Sequence, residues 1–444
     1  MVATEVVRNG VSTSVQAYKM PSGQYMTYFG AGVDAVCEGT DQKLLADSAE
    51  SLGDQKVINL YGHVRYREAR MRVTADKMVY WTAEERIVLE GNVDGVTSTG
   101  THFKAPTAVY WRAIPTQRRT AKLDATGRPD IWISPKDAGT KEPKDSVNIK
   151  ADRVISENDS LVWATGRVEI NRPDMMATGD SAYLDNGKET LDLLLHPKVE
   201  GRGESKFSLV GDHIFVQSRQ RQVERVKSSG SAVATSDEVK LKADTIDMRV
   251  ADQKLQRAFA WGPKRAIADA QNRQITADSI DVVMPGQVIR EMRAIRDAMA
   301  DSHPDTTKIL SKEMDWLRGD TVVATFEQAA ASDTSNAPAI KQIVARGKAR
   351  SFYQMAPSGA TEKTDKPNIN YVTGRLITVD FLQREIHTVT VIDRAAGFYL
   401  EALADSTKVK AKAAADSAKA KAATDSAKTK TGKPGAAPAQ RKIP

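Results

Sequence analysis

Apolar and polar residues alternate in short runs along most of the chain, and the runs come in pairs. In "RVTADKMVYWTAEERIVLEGNVDGV" (72–96), Met78 and Tyr80 lead into the polar turn "TAEER", and Ile87, Leu89, Gly91 and Val93 leave it at every second position. A period of two puts such side chains on one face of a strand. Arg86, Glu90 and Asn92, which fall between them, suit the solvent face of an antiparallel sheet. The pattern predicts a β-hairpin, and a lone hairpin is not stable in water. It needs neighbours.

The chain supplies them by repetition. A small residue followed by Asp recurs as Ala46-Asp47, Ala75-Asp76, Ala151-Asp152, Gly179-Asp180, Gly211-Asp212, Ala243-Asp244, Ala277-Asp278 and Gly319-Asp320. Degenerate copies stand at Ala105-Pro106 and Gly374-Arg375. A glycine follows most copies: Gly62, Gly91, Gly127, Gly166, Gly230, Gly262 and Gly347, with Pro197, Ala294 and Ala395 expected in its place elsewhere. The polar stretches "SPKDAGTKEPKDS" (134–146), "SHPDTTK" (302–308) and "SGATEKTDKPNIN" (358–370) lengthen three of the steps and read as loops. A period near thirty predicts a stacked array in which each unit buries its face against the next. The expected fold is all-β, two facing sheets built from about ten strand-pair units, each unit giving one strand to each sheet. "VIREMRAIRDAM" (288–299) has helical propensity, but its alignment with "IKQIVARGKARS" (340–351) predicts a strand.

Three segments are expected: an irregular lead over 1–23, a repeat body over 24–401 with a candidate division into two sub-arrays near 205, and a disordered tail over 402–444. The tail contains the nine-residue repeat "AAADSAKAK" and "AATDSAKTK", which has no large apolar residue and cannot offset its ordering entropy by burial. Nine Lys and one Arg against three Asp in the tail account for the whole net charge of +7, so the body is neutral. The charge therefore gives no argument for nucleic acid, which would need a basic, aromatic patch on the body. Contact of the tail with an anionic glycolipid or cell-wall polymer is the functional alternative to a plain tether.

No apolar run approaches the roughly 20 residues of a membrane span. The single cysteine, Cys37, forms no internal disulfide and so gives no argument about redox compartment. "QYMTYFGAGVDAVCEGTDQKLLAD" (24–47) already matches the second half of a unit, so the chain is expected to begin inside a repeat, with an export signal upstream or removed.

Units such as "VTADKMVYWTAEERIVLEGNV" (73–93), "KADRVISENDSLVWATGRVEI" (150–170) and "KADTIDMRVADQKLQRAFAWG" (242–262) resemble the OstA-like (organic-solvent-tolerance) family, the periplasmic bridge proteins of lipopolysaccharide transport. The resemblance covers roughly residues 24 to 401. It implies a twisted two-sheet β-jellyroll, or β-taco, whose interior carries acyl chains between inner and outer membranes. It also implies a periplasmic location and end-to-end strand pairing with other bridge-family proteins.

The residues themselves suggest where a lipid would sit. The inward set is aliphatic or small: Ile58, Leu60, Val64 and Tyr66; Ile87, Leu89 and Val93; Val162, Ala164, Val168 and Ile170; Ile343, Ala345 and Ala349. Such residues either fill a core or line a groove open to a glycolipid, where apolar contact contributes about 25 cal/mol per Å² without directional demands. A β-solenoid scaffold with a filled core, structural or adhesin-like, is the rival reading.

Neither metal nor catalysis is expected. Calcium-binding β-rolls place several carboxylates in units of about nine residues, whereas here one Asp recurs per thirty, expected at a strand end and accepting turn N–H groups. The histidines His63, His102, His196, His213, His303 and His387 lack ligand spacing, and no nucleophile elbow or phosphate loop appears. No cofactor is implied.

Overall fold

The structure is a computed structural model. It describes residues 2–402 apart from 5–6, 9–10, 13, 37–40, 115, 134–145, 159, 203–205, 271–272, 328–337, 358–362 and 383–384. The expected tail and Cys37 lie outside the described residues, apart from Ala402. The described residues are strand throughout except for loops and one 3-10 turn at Pro285–Gln287, as an all-β reading requires. The ambiguous stretch near 290 is the strand Glu291–Ser302. Two compact units are present. The first comprises Met1–Ser302, Trp316–Arg350 and Thr373–Ala395, and the second comprises His303–Asp315, Ser351–Val372 and residues from Ala396.

In the first unit the long strands are bent. Met71–Trp81 pairs with Arg86–Thr97 through Met71–Thr74 and with Val57–Arg67 through Arg72–Ala75, then with both through Lys77–Trp81, and the register breaks between. On the next strand, Arg86–Thr97, the break falls between Glu90 and Val93. The breaks line up from strand to strand, so the antiparallel sheet is folded along a crease into two leaves. Leaf I holds segments such as Val57–Tyr61, Lys77–Trp81 and Arg86–Glu90, and leaf II holds Val64–Arg67, Met71–Ala75 and Val93–Thr97.

The recurring markers are the crease. Gly62-His63, Gly91-Asn92, Gly166-Arg167 and Gly230-Ser231 each place two successive residues at positive φ, for example 74° and 45° at Gly91-Asn92. The Asp of the preceding strand lies against that glycine: a Cβ at Gly91 would sit 2.9 Å from the Cβ of Asp76 and fall on its carboxylate. Glycine is required there for space as well as for backbone.

Several expectations change. The Asp stands at the middle of a bent strand, where two short strands meet or one continues, instead of at a strand end. Its carboxylate mainly accepts from the side chain after the glycine, as Asn92 Nδ2 donates to Asp76 Oδ2 at 2.8 Å and Arg167 to Asp152. A backbone N–H donor, Lys264 to Asp244, is the pattern at the irregular Gly262 corner. The chain crosses the crease at both markers, so one thirty-residue period gives two strands to each leaf, not one.

Where glycine is missing, its place is taken by Leu195, Arg296 and Asp393, not by Pro197, Ala294 and Ala395. Leu195-His196, Arg296-Asp297 and Asp393-Arg394 keep the double positive φ. The Asp180 N–H donates to Leu195 O at 3.0 Å, just as Asp152 N–H donates to Gly166 O at 2.8 Å.

The expected lead is partly regular, since Ser14–Lys19 pairs with Tyr25–Gly30. Among the described residues the ladder runs on across the expected division near 205: Met175–Asp185 pairs with Lys198–Gly201, which pairs with Phe207–Val210, which pairs with Gln222–Ser236.

The second unit is small. Gln354 is buried; its N–H donates to Asp315 Oδ1 at 3.0 Å and its Nε2 to Glu313 O at 2.9 Å. Tyr371 and Phe398 stack at 5.2 Å, and Asn368 Nδ2 donates to the Tyr399 hydroxyl.

Candidate functional site: the interior between the leaves

Alternation along each bent strand sends one set of side chains into the space between the leaves. Cross-strand pairing links these sets into rows that run from strand to strand. One row of leaf I passes from Ala49 to Leu60, Met78, Leu89, Ala108 and Ala125, and continues strand by strand to Ile280 and Ala294. Large and small residues alternate irregularly within it, which lets the facing rows of leaf II interdigitate. Its one polar member, Ser228, is fully buried and donates to Val210 O at 3.0 Å.

Thirteen of the fourteen candidate groove residues face this interior and are buried: Leu60, Val64, Tyr66, Ile87, Leu89, Val93, Val162, Ala164, Val168, Ile170, Ile343, Ala345 and Ala349. Ile58 is only half-buried, near the margin of leaf I. The structure brings Leu60 and Leu89 onto either side of Met78, and sets Ile170 beside Ile149. On leaf II, Gly95 leaves the space that the Phe103 ring occupies.

Opposite the crease, the free margins of the leaves form a mouth, and polar clasps bridge it. In the first, Glu68 at the end of leaf II accepts from Arg112 Nε at 2.6 Å and from the Tyr110 hydroxyl at 3.1 Å, both at the end of leaf I. Arg112 also reaches Glu85, whose carboxylate accepts from the Tyr80 hydroxyl at 2.6 Å. Burial, then the Glu85 hydrogen bond, pushes the Tyr80 hydroxyl far above the ordinary tyrosine range. Burial does the same to Tyr66, whose hydroxyl makes no hydrogen bond among the described residues.

In the second clasp, Arg172 and Asp174 of leaf II hold the leaf I hairpin near residue 220. Arg172 Nη1 donates to Ser218 Oγ at 2.8 Å, its Nη2 donates to Arg221 O, and Asp174 Oδ2 accepts from Val223 N–H at 3.0 Å. In the third, Glu238 accepts from Ile289 N–H at 3.1 Å.

Beside the first clasp the mouth holds a cavity of about 260 Å³. Met71, Tyr110, Ala121 and Leu123 give it apolar walls, and Arg70, Thr97, Ser98, Thr99, Ser156 and Asn158 give it polar ones. Its size falls just under the roughly 300 Å³ at the lower end of small-ligand sites. Sequence reasoning missed the cavity and the clasps. The partners Glu68 and Arg112 stand 44 residues apart, and no local pattern marks them.

Among the described residues no group of three or more His, Cys, Asp or Glu is placed to hold a metal ion. Four of the histidines instead pair singly with carboxylates: His63 with Asp47 at 2.7 Å, His102 with Asp94 at 2.7 Å, His196 with Asp180 at 3.2 Å and His213 with Asp192 at 2.8 Å. No described helix is long and apolar enough to cross a membrane.

The fold and the interior define a class: an all-β repeat protein, folded along a crease, with a continuous apolar interior and a clasped mouth. No family model matches the chain, and no curated protein matches it.

Proposed function

We propose that the protein is a periplasmic lipid-binding bridge. It would carry lipopolysaccharide or a similar glycolipid from inner to outer membrane along the apolar interior of the first unit. The observation that carries this reading is the cavity at the mouth, which joins apolar walls from both leaves to Arg70 and a cluster of hydroxyls. An acyl chain with a polar, anionic head has that same division of chemistry. The inward row of leaf I supports it further, because, Ser228 aside, it offers apolar contact from strand to strand without a strong stopping point. The resemblance of the repeat units to the OstA-like family points the same way, and no catalytic step is part of the proposal.

The proposed partners at either end are further bridge-type chains joined by strand pairing. Ser14–Lys19 is exposed throughout, and Glu385–Ile392 carries exposed Val389 and Ile392. Among the described residues each pairs along one edge only, and such edges accept another strand.

One observation favours a second reading. Leu89 and Val168 are already 0% and 1% exposed, as in the filled core of a structural scaffold. Native mass spectrometry of the protein purified from a membrane-containing host separates the two. A carrier arrives with glycolipid mass bound. A folded chain that stays bare after incubation with lipopolysaccharide is a scaffold.

A further inference from the structure

The outer face of leaf I carries an arrangement of charge that the interior does not explain. On three adjacent strands, Gln222–Ser236, Lys240–Ala251 and Lys254–Ala270, the register sets Arg225 opposite Arg249 and Arg249 opposite Arg257. Like charges directly opposite one another destabilise a sheet. Two of the three are held from beneath. Arg225 grips Asp247 through Nε and Nη2 at 2.9 and 2.6 Å, and Arg257 grips Asp281 through the same two nitrogens at 2.7 Å each. The side chains of Asp247 and Asp281 are only 12% and 5% exposed.

Arg249 lacks such a partner. Its nearest carboxylate oxygen is Asp247 Oδ2 at 3.7 Å, a group already engaged by Arg225, and its side chain is 52% exposed. Lys227 stands opposite Asp247 in the next row. Arg225, Lys227, Arg249 and Arg257 thus face two carboxylates, leaving an excess of two positive charges. Because Asp247 and Asp281 take Nε and Nη2, Arg225 and Arg257 keep Nη1 without a hydrogen bond among the described residues. Guanidinium groups fixed in this way are already oriented for an anion, which lowers the entropy lost on binding.

An aromatic platform adjoins them on the same face. Phe259 and Trp261 follow Arg257 at every second position and stack at 4.9 Å with 29° between their planes. The Lys227 ammonium lies 5.9 Å from the centre of the Trp261 ring. Flat rings offer an apolar surface to the C–H face of a sugar, while planar guanidinium groups recognise phosphate oxygens by paired, charge-assisted hydrogen bonds.

We propose that this three-strand patch binds a phosphorylated saccharide, with Arg249 as the principal phosphate partner and the stacked pair Phe259 and Trp261 as the apolar contact for the sugar. The site is on the outer face, so it stands whether or not the interior carries lipid.

Isothermal titration of the full chain tests it with four probes: a phosphorylated oligosaccharide, its dephosphorylated form, inorganic phosphate, and vesicles carrying a phosphorylated glycolipid. The phosphorylated oligosaccharide should bind more tightly than either of its parts. R249Q should weaken that binding by about tenfold or more, the loss of one charge-assisted contact, and R249K should recover part of it. W261A should weaken binding of the oligosaccharide and leave inorganic phosphate unchanged. R249Q should also raise the melting temperature in ligand-free, low-salt buffer, since the cross-strand repulsion is gone. Binding confined to the vesicles and lost in R249Q would assign the site to a membrane-borne headgroup. The proposal is overturned if no probe binds at about 1 mM, if R249Q binds as the parent does, or if R249Q melts lower, which would make Arg249 a structural residue.

Discussion

Asp76 fills the space that a side chain at Gly91 would need, and Gly91 meets it in left-handed backbone at φ 74°. The two residues are therefore one requirement written twice. Gly91→Ala should destabilise the chain by about 1–2 kcal/mol from the backbone alone, and by more from the clash. In urea unfolding, Asp76→Gly, which also removes the Cβ, combined with Gly91→Ala should lose less stability than the two single changes added together. Additive losses would show that Asp76 does not set the demand for glycine.

Glu68 and Arg112 form an enclosed clasp, with side-chain exposures of 6% and 24%. Removing one partner of a buried ion pair costs about 3–5 kcal/mol, while replacing both by apolar groups of similar size is often nearly neutral. Arg112→Met should therefore lower the melting temperature sharply, and the Glu68→Leu, Arg112→Met pair should recover part of it, since Glu85 still lacks its Arg112 contact. A mild effect of Arg112→Met would mean that the mouth stands without this clasp.

Glu238 gives the third clasp a pH dependence. Burial raises its pKa above the ordinary carboxylate range, and the Ile289 N–H bond opposes that only in part. The folded state therefore holds this proton more tightly than the unfolded state does. The resulting penalty is absent below the unfolded value of about 4.3 and grows as pH rises through the folded value. Glu238→Gln keeps an oxygen acceptor without the charge. It should match the parent's melting temperature in acid and exceed it at neutral pH. A constant difference at every pH would remove Glu238 as the source.

Neighbouring strand residues point to opposite faces, which builds a control into any labelling of the interior. A photo-crosslinker at Leu89 or Val168 should capture glycolipid, and one at Glu90 or Arg167 should not. Leu60 should label as well if lipid passes from strand to strand. Equal capture at Leu89 and Glu90 would indicate adsorption to the surface.

Assembly follows from the open strand edges. Sedimentation should show concentration-dependent, open-ended association, since head-to-tail addition does not close on itself. Val389→Lys, a charge placed on an exposed edge residue, should suppress it. A strict monomer at high concentration would count against end-to-end bridging.

The β alternation, the inward set and the marker pairs were legible in the sequence because each depends on neighbours in the chain. Met78, Leu89 and Val168 announce their face by their spacing alone. The corners at Leu195, Arg296 and Asp393 were misplaced by two residues because no glycine marks them. Their left-handed backbone is imposed by the pairing of strands on both sides, a tertiary effect. The clasps and the Arg225, Arg249 and Arg257 row were invisible for a related reason. Cross-strand neighbours are set by register, and register is a sum over many pairs that no short window contains.

The alternation of Asp-bearing and glycine-bearing corners has a consequence for how such a chain changes length. Removing a single bent strand, such as Arg86–Thr97, would bring the Asp76 corner against the Pro106 corner, and neither leaves room for the other. Removing two consecutive strands restores an acid against a glycine and keeps every side chain on its own face. The array is thus counted in twos. Duplications and deletions should be tolerated in steps of one period and rejected at half a period, a parity rule written into the crease.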